Sequence, residues 1–357
     1  MNAGRKQNLN GPHRPLQKYR RSILPSLGLL VLILFACHEV QRHGPPISTR
    51  EISSIKPDAP NSPGQKLTGA PDIRVAVVKD GSTVVMQINL EEYLTGVLAG
   101  EVPFERWHAE ALKAQAITSR SFAMFQIRKN VAEKYDVEST VMSQVFRPGF
   151  QSNPILVAAV NATHGLVLTV DGGKLFPAYF HSTCGQQTEP GESVFSEQPR
   201  IKPLSGVPCA YCTQSPGYRW KCQLNKESLT QKLKNFYGSR QSIGLLLDLE
   251  FKDISGLSLG ASPGQFKRAT QVLIRHANGV LQMQGNQFRL MAGPKELKSL
   301  LIDGVTIKGD VIEISGGGFG HGVGLCQYGS QGMAQVGQPY INILGMYFPG
   351  ADLTRMY

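Results

Sequence analysis

The chain reads as an α+β protein. Short runs of alternating apolar and polar residues come in clusters, as at Ile73 to Val78 followed by Thr83 to Met86. Between the clusters lie stretches with helical spacing, Leu90 to Glu101 and Glu110 to about Met124. There is no internal repeat. With 357 residues, 41% of them apolar, the chain is long enough for one large domain or two and for a proper core.

Residues 1–36 have a basic front (Arg5, Lys6, Arg14, Lys18, Arg20, Arg21) and then a weakly polar to apolar run from Ile23 to Ala36. This is the layout of a bacterial signal peptide. The run falls short of the roughly twenty residues that span a bilayer. It ends in Leu34-Phe35-Ala36-Cys37, which resembles a lipobox, so cleavage before Cys37 and lipid attachment to its sulfur are expected. The product would be a membrane-anchored lipoprotein of the cell envelope, facing the periplasm or the outer surface. An uncleaved amino-terminal anchor is the alternative, and it too holds the protein at a membrane. Residues 37–71 are rich in Pro, Ser and Gln and read as a flexible tether to a folded domain over residues 72–357.

The formal charge of +11 invites a nucleic-acid reading, but six of the 37 basic residues and none of the 26 acidic ones precede Cys37. Without that segment 31 basic residues face 26 acidic ones, a charge of +5. No nucleic-acid partner is called for, although a polyanionic polymer would suit this balance.

Along the folded part, the alternation of Ile73 to Val78, the pair Asp80-Gly81 and the run Thr83 to Met86 predict a hairpin. In the first helix Leu90, Leu94, Val97, Leu98 and Glu101 recur at helical spacing, so a carboxylate takes the last place on an apolar stripe. Burial and the negative end of the helix dipole both raise the pKa of a carboxyl group placed there. Pro103 ends the helix. The second helix places Lys113, Ile117 and Arg120 along one face, and the plain structural reading is a salt bridge from Glu101 to Lys113 or Arg120. Pro154 to Thr163 reads as a helix. Leu166 to Val170 and Lys174 to Phe180 read as a second hairpin about Asp171-Gly172-Gly173. Asn225 to Tyr237 and Pro294 to Leu301 read as further helices, with strands such as Thr270 to Arg275 and Val280 to Met283 between them.

His181-Ser182-Thr183-Cys184 is followed at a distance by Cys209-Ala210-Tyr211-Cys212, with Cys222 beyond. His181, Cys184, Cys209 and Cys212 offer four tetrahedral ligands, the set that zinc asks for. With all four bound no position remains for water, so the role would be structural. Cys222 is the reserve ligand if His181 faces elsewhere. Disulfides are the competing reading for an exported chain, and free thiols the third. Cys209 and Cys212 are too close in sequence for a comfortable disulfide with each other, which favours a shared metal.

The run from Ser315 to Gly329 is dense in glycine but lacks the Gly-Lys-Ser/Thr of a phosphate loop. Backbone must pass close to something there, either another segment, in a tight turn into a helix starting near Gln327, or a ligand.

The Glu101-Val102-Pro103 element, Glu110-Ala111-Leu112-Lys113-Ala114-Gln115-Ala116 and Ser119-Arg120-Ser121-Phe122 together resemble the signature of the SpoIID/LytB family, which acts on bacterial peptidoglycan. The resemblance continues through His321, Gln327-Tyr328-Gly329 and Tyr347-Phe348-Pro349-Gly350, covering roughly residues 72 to 355. It departs at Cys326, where serine is common, and at Ser330 and Phe348, which stand for Ala and Tyr. It implies that Glu101 is the catalytic acid of a lytic transglycosylase and that a metal lies beside the active site. Some members have serine where this chain has Cys184. In that reading Lys113 and Arg120 set the pKa of Glu101 or hold the glycan, His321 and Gln327 line a saccharide groove, and Tyr328 forms its aromatic wall.

The chemistry accommodates a single carboxylate. Glycosidases use two, whereas a lytic transglycosylase borrows the C6 hydroxyl of N-acetylmuramic acid as nucleophile and forms a 1,6-anhydro ring. One glutamate can then serve as acid and afterwards as base. A non-catalytic enhancer of a cell-wall amidase is the alternative within the same family. A zinc amidase is a more distant one, since a cysteine-rich site is usually structural.

Overall fold

In a computed structural model of the protein the described residues are 69–357, apart from 80, 142, 254 and 261–266. The signal peptide, Cys37, nearly all of the tether and Asp80 of the first turn therefore lie outside the described residues. The described residues form an α+β fold in which helices and small sheets alternate.

Strands β1 (Asp72–Lys79) and β2 (Ser82–Asn89) form the expected antiparallel hairpin. Asn89 ends it and starts α1 (Leu90–Glu101), its side chain accepting from the Glu91 N–H at 3.0 Å. A single turn at Phe104–Arg106 leads to α2 (Ala109–Lys129), where His108 Nδ1 takes the capping role, accepting from the Glu110 N–H. Strand β3 (Val137–Glu138) lies parallel to β1. Then follow α3 (Pro154–Ala162), started by Asn153, and β4 (Leu166–Val170), paired with the short β5 (Lys174–Leu175). β6 (Phe180–His181) and α4 (Gly191–Val194) complete this half.

The second half opens with β7 (Arg219–Asn225) and α5 (Lys226–Tyr237). β8 (Leu246–Lys252), β9 (Lys267–Arg268), β10 (Gln271–His276) and β11 (Gly279–Gln284) precede α6 (Gly285–Ala292). β12 (Leu301–Lys308) and β13 (Val311–Gly317) are antiparallel neighbours. Residues 294–300 carry no helix, contrary to expectation. Proline at the start and a glycine with φ of +115° just before it favour a turn there, and the helix falls instead on the preceding α6. The chain closes with β14 (Leu325–Cys326), α7 (Gln327–Gln335), α8 (Tyr340–Tyr347) and β15 (Asp352–Arg355), the last paired with β4.

Three apolar clusters fill this architecture. Residues of β7, α5, β8, β10 to β13 and α6 make one, from Trp220 to Ile314. The other two share α2, which gives Ala111, Ala114 and Ile117 to one and Leu112, Ala116, Ala123 and Met124 to the other. A helix with apolar neighbours on both sides is buried around its circumference. That position explains why α2 is built from small residues and why its polar side chains must find partners inside the protein.

Candidate active site

Glu101 is the last residue of α1. Its Oε1 accepts a hydrogen bond from the Val145 N–H at 2.6 Å, and its Oε2 accepts from Gln327 Nε2 at 3.4 Å. The first contact depends on glycine: a Cβ on Gly100 would run into the Val145 carbonyl, and one on Gly96 into the Phe146 ring. The two glycines let the 145–146 segment lie directly on α1. Burial raises the Glu101 carboxyl, and although the two hydrogen bonds pull the other way, its pKa is pushed up to about 7. That is where a group which gives and then takes a proton at neutral pH should lie.

Neither expected cation reaches Glu101. Arg120 is wholly buried and turns to Glu91, with Nε donating to Oε1 at 2.9 Å and Nη2 to Oε2 at 2.7 Å. Its Nη1 donates to the Leu166 carbonyl at 3.1 Å. Glu91 also accepts from the Tyr357 hydroxyl at 2.6 Å. Burial works to raise the Glu91 carboxyl, but the Arg120 and Tyr357 hydrogen bonds outweigh it and hold the group below its ordinary value. Lys113 pairs with Glu110 at 2.6 Å, one helical turn away, and lies over the Tyr340 ring at 5.9 Å. The geometry assigns Arg120 to holding the fold and Lys113 to the α2 surface facing α8.

Gln327 and Tyr328 open α7, which brings the Gln327 side chain to the Glu101 carboxyl. Tyr328 meets the Trp107 ring edge-on, with centroids 5.7 Å apart. Its N–H donates to the Ser182 carbonyl at 3.0 Å. Gln331, one turn along α7, accepts from the His108 N–H at 2.9 Å and so fixes α7 against the loop that carries Trp107. His321 falls elsewhere: its ring packs with Tyr179, Phe195 and His181, and its Nδ1 accepts from the Val323 N–H at 3.1 Å.

The sulfurs of Cys184, Cys209, Cys212 and Cys326 gather within 4.8 Å of one another, and all four residues are buried. The fourth member is Cys326, so the expected place of His181 in the ligand set is corrected, as is the reserve role of Cys222. β6 and β14 lie side by side with His181 opposite Cys326. Cys326 Sγ accepts from the Cys184 N–H at 3.3 Å, while His181 turns its Nδ1 to the Val323 carbonyl at 3.1 Å. Cys222 sits on β7, where burial pushes its thiol up to about 11.

The five cysteines of the described residues are free thiols. Cys184 and Cys212 sulfurs are 3.5 Å apart, close to the roughly 3.8 Å between two sulfurs of a tetrahedral site with bonds of about 2.3 Å. The Gly329 N–H also donates to Cys326 Sγ at 3.3 Å, and the Tyr347 hydroxyl shares a hydrogen bond with Cys209 Sγ at 3.1 Å. Such donors orient and stabilise thiolates around a metal. The donor set and its surroundings can bind a metal ion.

Residues 78–170 match the family described as Stage II sporulation protein, and residues 210–324 match a domain of unknown function. Stage II sporulation protein D of Bacillus amyloliquefaciens is 29% identical over 86% of this chain and 83% of its own length. The chain belongs to the SpoIID/LytB family. An uncharacterized protein of Brachyspira hyodysenteriae is 32% identical over 77% of this chain and 69% of its own length. The Amidase enhancer of Bacillus subtilis is 28% identical over 73% of this chain, which spans 40% of that relative. Membership of the SpoIID/LytB family gives the protein a cell-wall-related role.

Within this SpoIID-family chain, Glu101, Lys113 and Arg120 fall inside the first matched segment, Cys212 and His321 inside the second. Sequence reasoning missed Glu91, Trp107 and the Val145 N–H as partners. Glu91 had a signal, since a buried arginine on α2 demands a carboxylate and the start of α1 supplies two.

Proposed function

We propose that the protein is a peptidoglycan lytic transglycosylase that cleaves glycan strands between N-acetylmuramic acid and N-acetylglucosamine to leave 1,6-anhydro ends. The observation that carries this reading is the Glu101 carboxyl, raised to about 7, bonded to neutral donors and turned toward Gln327 rather than toward a cation. Protonated, it gives its proton to the glycosidic oxygen as that bond breaks. As carboxylate, it then accepts the proton of the C6 hydroxyl that attacks C1, so the group ends the cycle as it began. The Val145 N–H and Gln327 hold the carboxyl in place through both states, and Trp107 and Tyr328 offer faces for the sugar rings. The four cysteines would hold a zinc ion as a cross-link between the segment after β6, the 209–212 loop and β14, leaving the proton transfers to Glu101.

The amino-terminal segment completes the proposal. Residues 1–36 export the chain, lipidated Cys37 anchors it at a membrane of the envelope, and residues 37–71 let the domain of residues 72–357 reach the wall layer. Incubating the protein with isolated glycan strands and weighing the products by mass spectrometry tests the reading: anhydro-ended fragments support it.

A second reading is favoured by the likeness to the Amidase enhancer. The same groove would bind glycan and stimulate a cell-wall amidase with no turnover of its own. Anhydro ends then fail to appear while amidase activity rises.

A further inference from the structure

The Glu101 carboxyl takes its shorter hydrogen bond from a backbone N–H that belongs to no helix or strand. β3 ends at Glu138 and α3 starts at Pro154, and the described residues between them carry no regular structure. Gly96 and Gly100 admit this segment to α1, but room is not restraint. Something else must hold the Val145 N–H in line.

Gln144 is wholly buried, and both ends of its amide are bonded. Its Oε1 accepts from the Tyr93 hydroxyl of α1 at 3.0 Å, and its Nε2 donates to the Ser119 carbonyl of α2 at 3.2 Å. On the other side of Val145, Phe146 stacks on the Tyr93 ring with centroids 5.2 Å apart, and the Arg147 N–H donates to the Gly96 carbonyl at 3.0 Å. Tyr93 keeps its proton, because burial first and then the charge of Glu101 push its hydroxyl well above its ordinary value. Of the cations, Arg120 and Lys113 are bonded to other carboxylates, and Arg147 is exposed.

Packing alone does not ask for glutamine at such a place. A buried amide is costly unless it is bonded, and a leucine of similar size fills the space without that demand. What the amide adds is direction. The peptide plane that carries the Val145 N–H runs from the Gln144 Cα to the Val145 Cα, so the residue clamped between α1 and α2 is the one that orients this donor. Aim matters for a bond 2.6 Å long, since hydrogen bonds weaken steeply as their angle closes.

We infer that Gln144 is a positioning residue for Glu101: its amide, held by α1 on one side and α2 on the other, keeps the Val145 N–H aimed at the carboxyl through both halves of the proton cycle. The reaction it serves rests on the transglycosylase reading above, and the placement rests on the hydrogen bonds themselves.

Carbon-13 NMR of the full chain labelled at its glutamate carboxyls, with the Glu101 signal assigned through Glu101→Gln, follows this group without any need for turnover. The Val145 N–H favours the carboxylate. In Gln144→Leu the Glu101 midpoint is therefore expected to rise by about half a pH unit or more, and in Tyr93→Phe, which removes one of the two anchors, by less in the same direction. Ile73→Ala opens the same apolar cluster near the far end of α1, and is expected to lower stability while leaving the midpoint in place. On glycan strands Gln144→Leu is expected to lose kcat on the order of tenfold to a hundredfold with KM little changed, the alkaline limb of its pH profile moving up with the NMR midpoint. The inference is overturned if a folded Gln144→Leu chain titrates at Glu101 as the parent does, if Tyr93→Phe does so where Gln144→Leu fails to fold, or if Ile73→Ala moves the midpoint as far. A parent that makes no anhydro ends while the midpoint still moves in Gln144→Leu removes the transglycosylase reading and leaves the placement of Glu101 by Gln144 standing.

Discussion

Arg120 closes on Glu91 with Nε and Nη2 of its guanidinium, and in doing so leaves Glu101 without a cation. A positive charge within about 4–6 Å would lower a carboxyl pKa by 1–3 units. By satisfying Arg120 elsewhere, the fold keeps the Glu101 carboxyl high enough to hold a proton near neutrality. A carboxylate paired with a cation and one bonded only to neutral donors thus sit at opposite ends of a single helix, α1.

Glu101→Gln keeps the shape of the side chain and removes its titrating proton. Formation of anhydro-ended products is expected to fall on the order of a hundredfold or more, with glycan pull-down unchanged. Product mass analysis checks it. A fully active variant removes Glu101 from the mechanism.

The same carboxyl ties activity and stability to pH. It must be protonated to start the cycle, so kcat/KM is expected to fall as pH rises through about 7. Its folded pKa lies above the unfolded value, so the folded state binds the proton more tightly and stability is lost as pH rises from the ordinary carboxyl range through about 7. Denaturant melts at pH 5 and pH 8 should show the parent losing about 2 kcal/mol relative to Glu101→Gln over that interval.

Breaking the buried pair and breaking the half-exposed one should differ sharply. Arg120→Ala strands Glu91 and empties a wholly buried position, so a loss of about 3–5 kcal/mol is expected. Lys113→Ala breaks a partly exposed pair at the α2 surface, and a loss of less than about 1 kcal/mol is expected. Equilibrium unfolding of the two variants checks the contrast, and equal losses contradict the assignment of Arg120 to the fold.

Elemental analysis is expected to find about one zinc per chain, as four buried cysteines make one site. Cys326→Ser should reduce metal content to background, while Cys222→Ser and His181→Gln should leave it unchanged. Retention of zinc in Cys326→Ser returns His181 to the ligand set.

Cys37→Ala is expected to abolish labelling of the protein by a fatty-acid probe. Labelling that persists places the lipid elsewhere or removes the lipoprotein reading.

The pattern of residues made much of the fold legible, for identifiable reasons. α1, α2 and α3 carry runs of helix-forming residues and side-chain caps, and β1 with β2 carry clear alternation, so local physics alone marks them. The stretch after Gly293 misled because short helices near proline and glycine are decided by tertiary packing rather than by propensity. At the site, Glu101 stood out as a carboxylate on an apolar stripe. Its true contacts did not, because Val145 acts through its backbone and Gln327 comes from far along the chain. The metal cluster was half legible. The Cys209–Cys212 pair is a local signal, but the choice of Cys326 over His181 depends on which way two adjacent strands turn their side chains.

The hydrogen bond from Gln327 to Glu101 spans 226 positions of sequence. A ribosome or an export channel delivers the chain from its amino terminus, so Glu101 emerges long before α7. Until the last tenth of the molecule has been delivered, the carboxyl lacks one of its two donors, Tyr328 is missing beside Trp107, and the fourth sulfur is absent from the cysteine cluster. A nascent or truncated chain thus contains the Glu101 carboxyl without these surroundings. Assembly of this neighbourhood is deferred to the end of synthesis, so under the proposed function the protein would gain its activity only as a finished molecule.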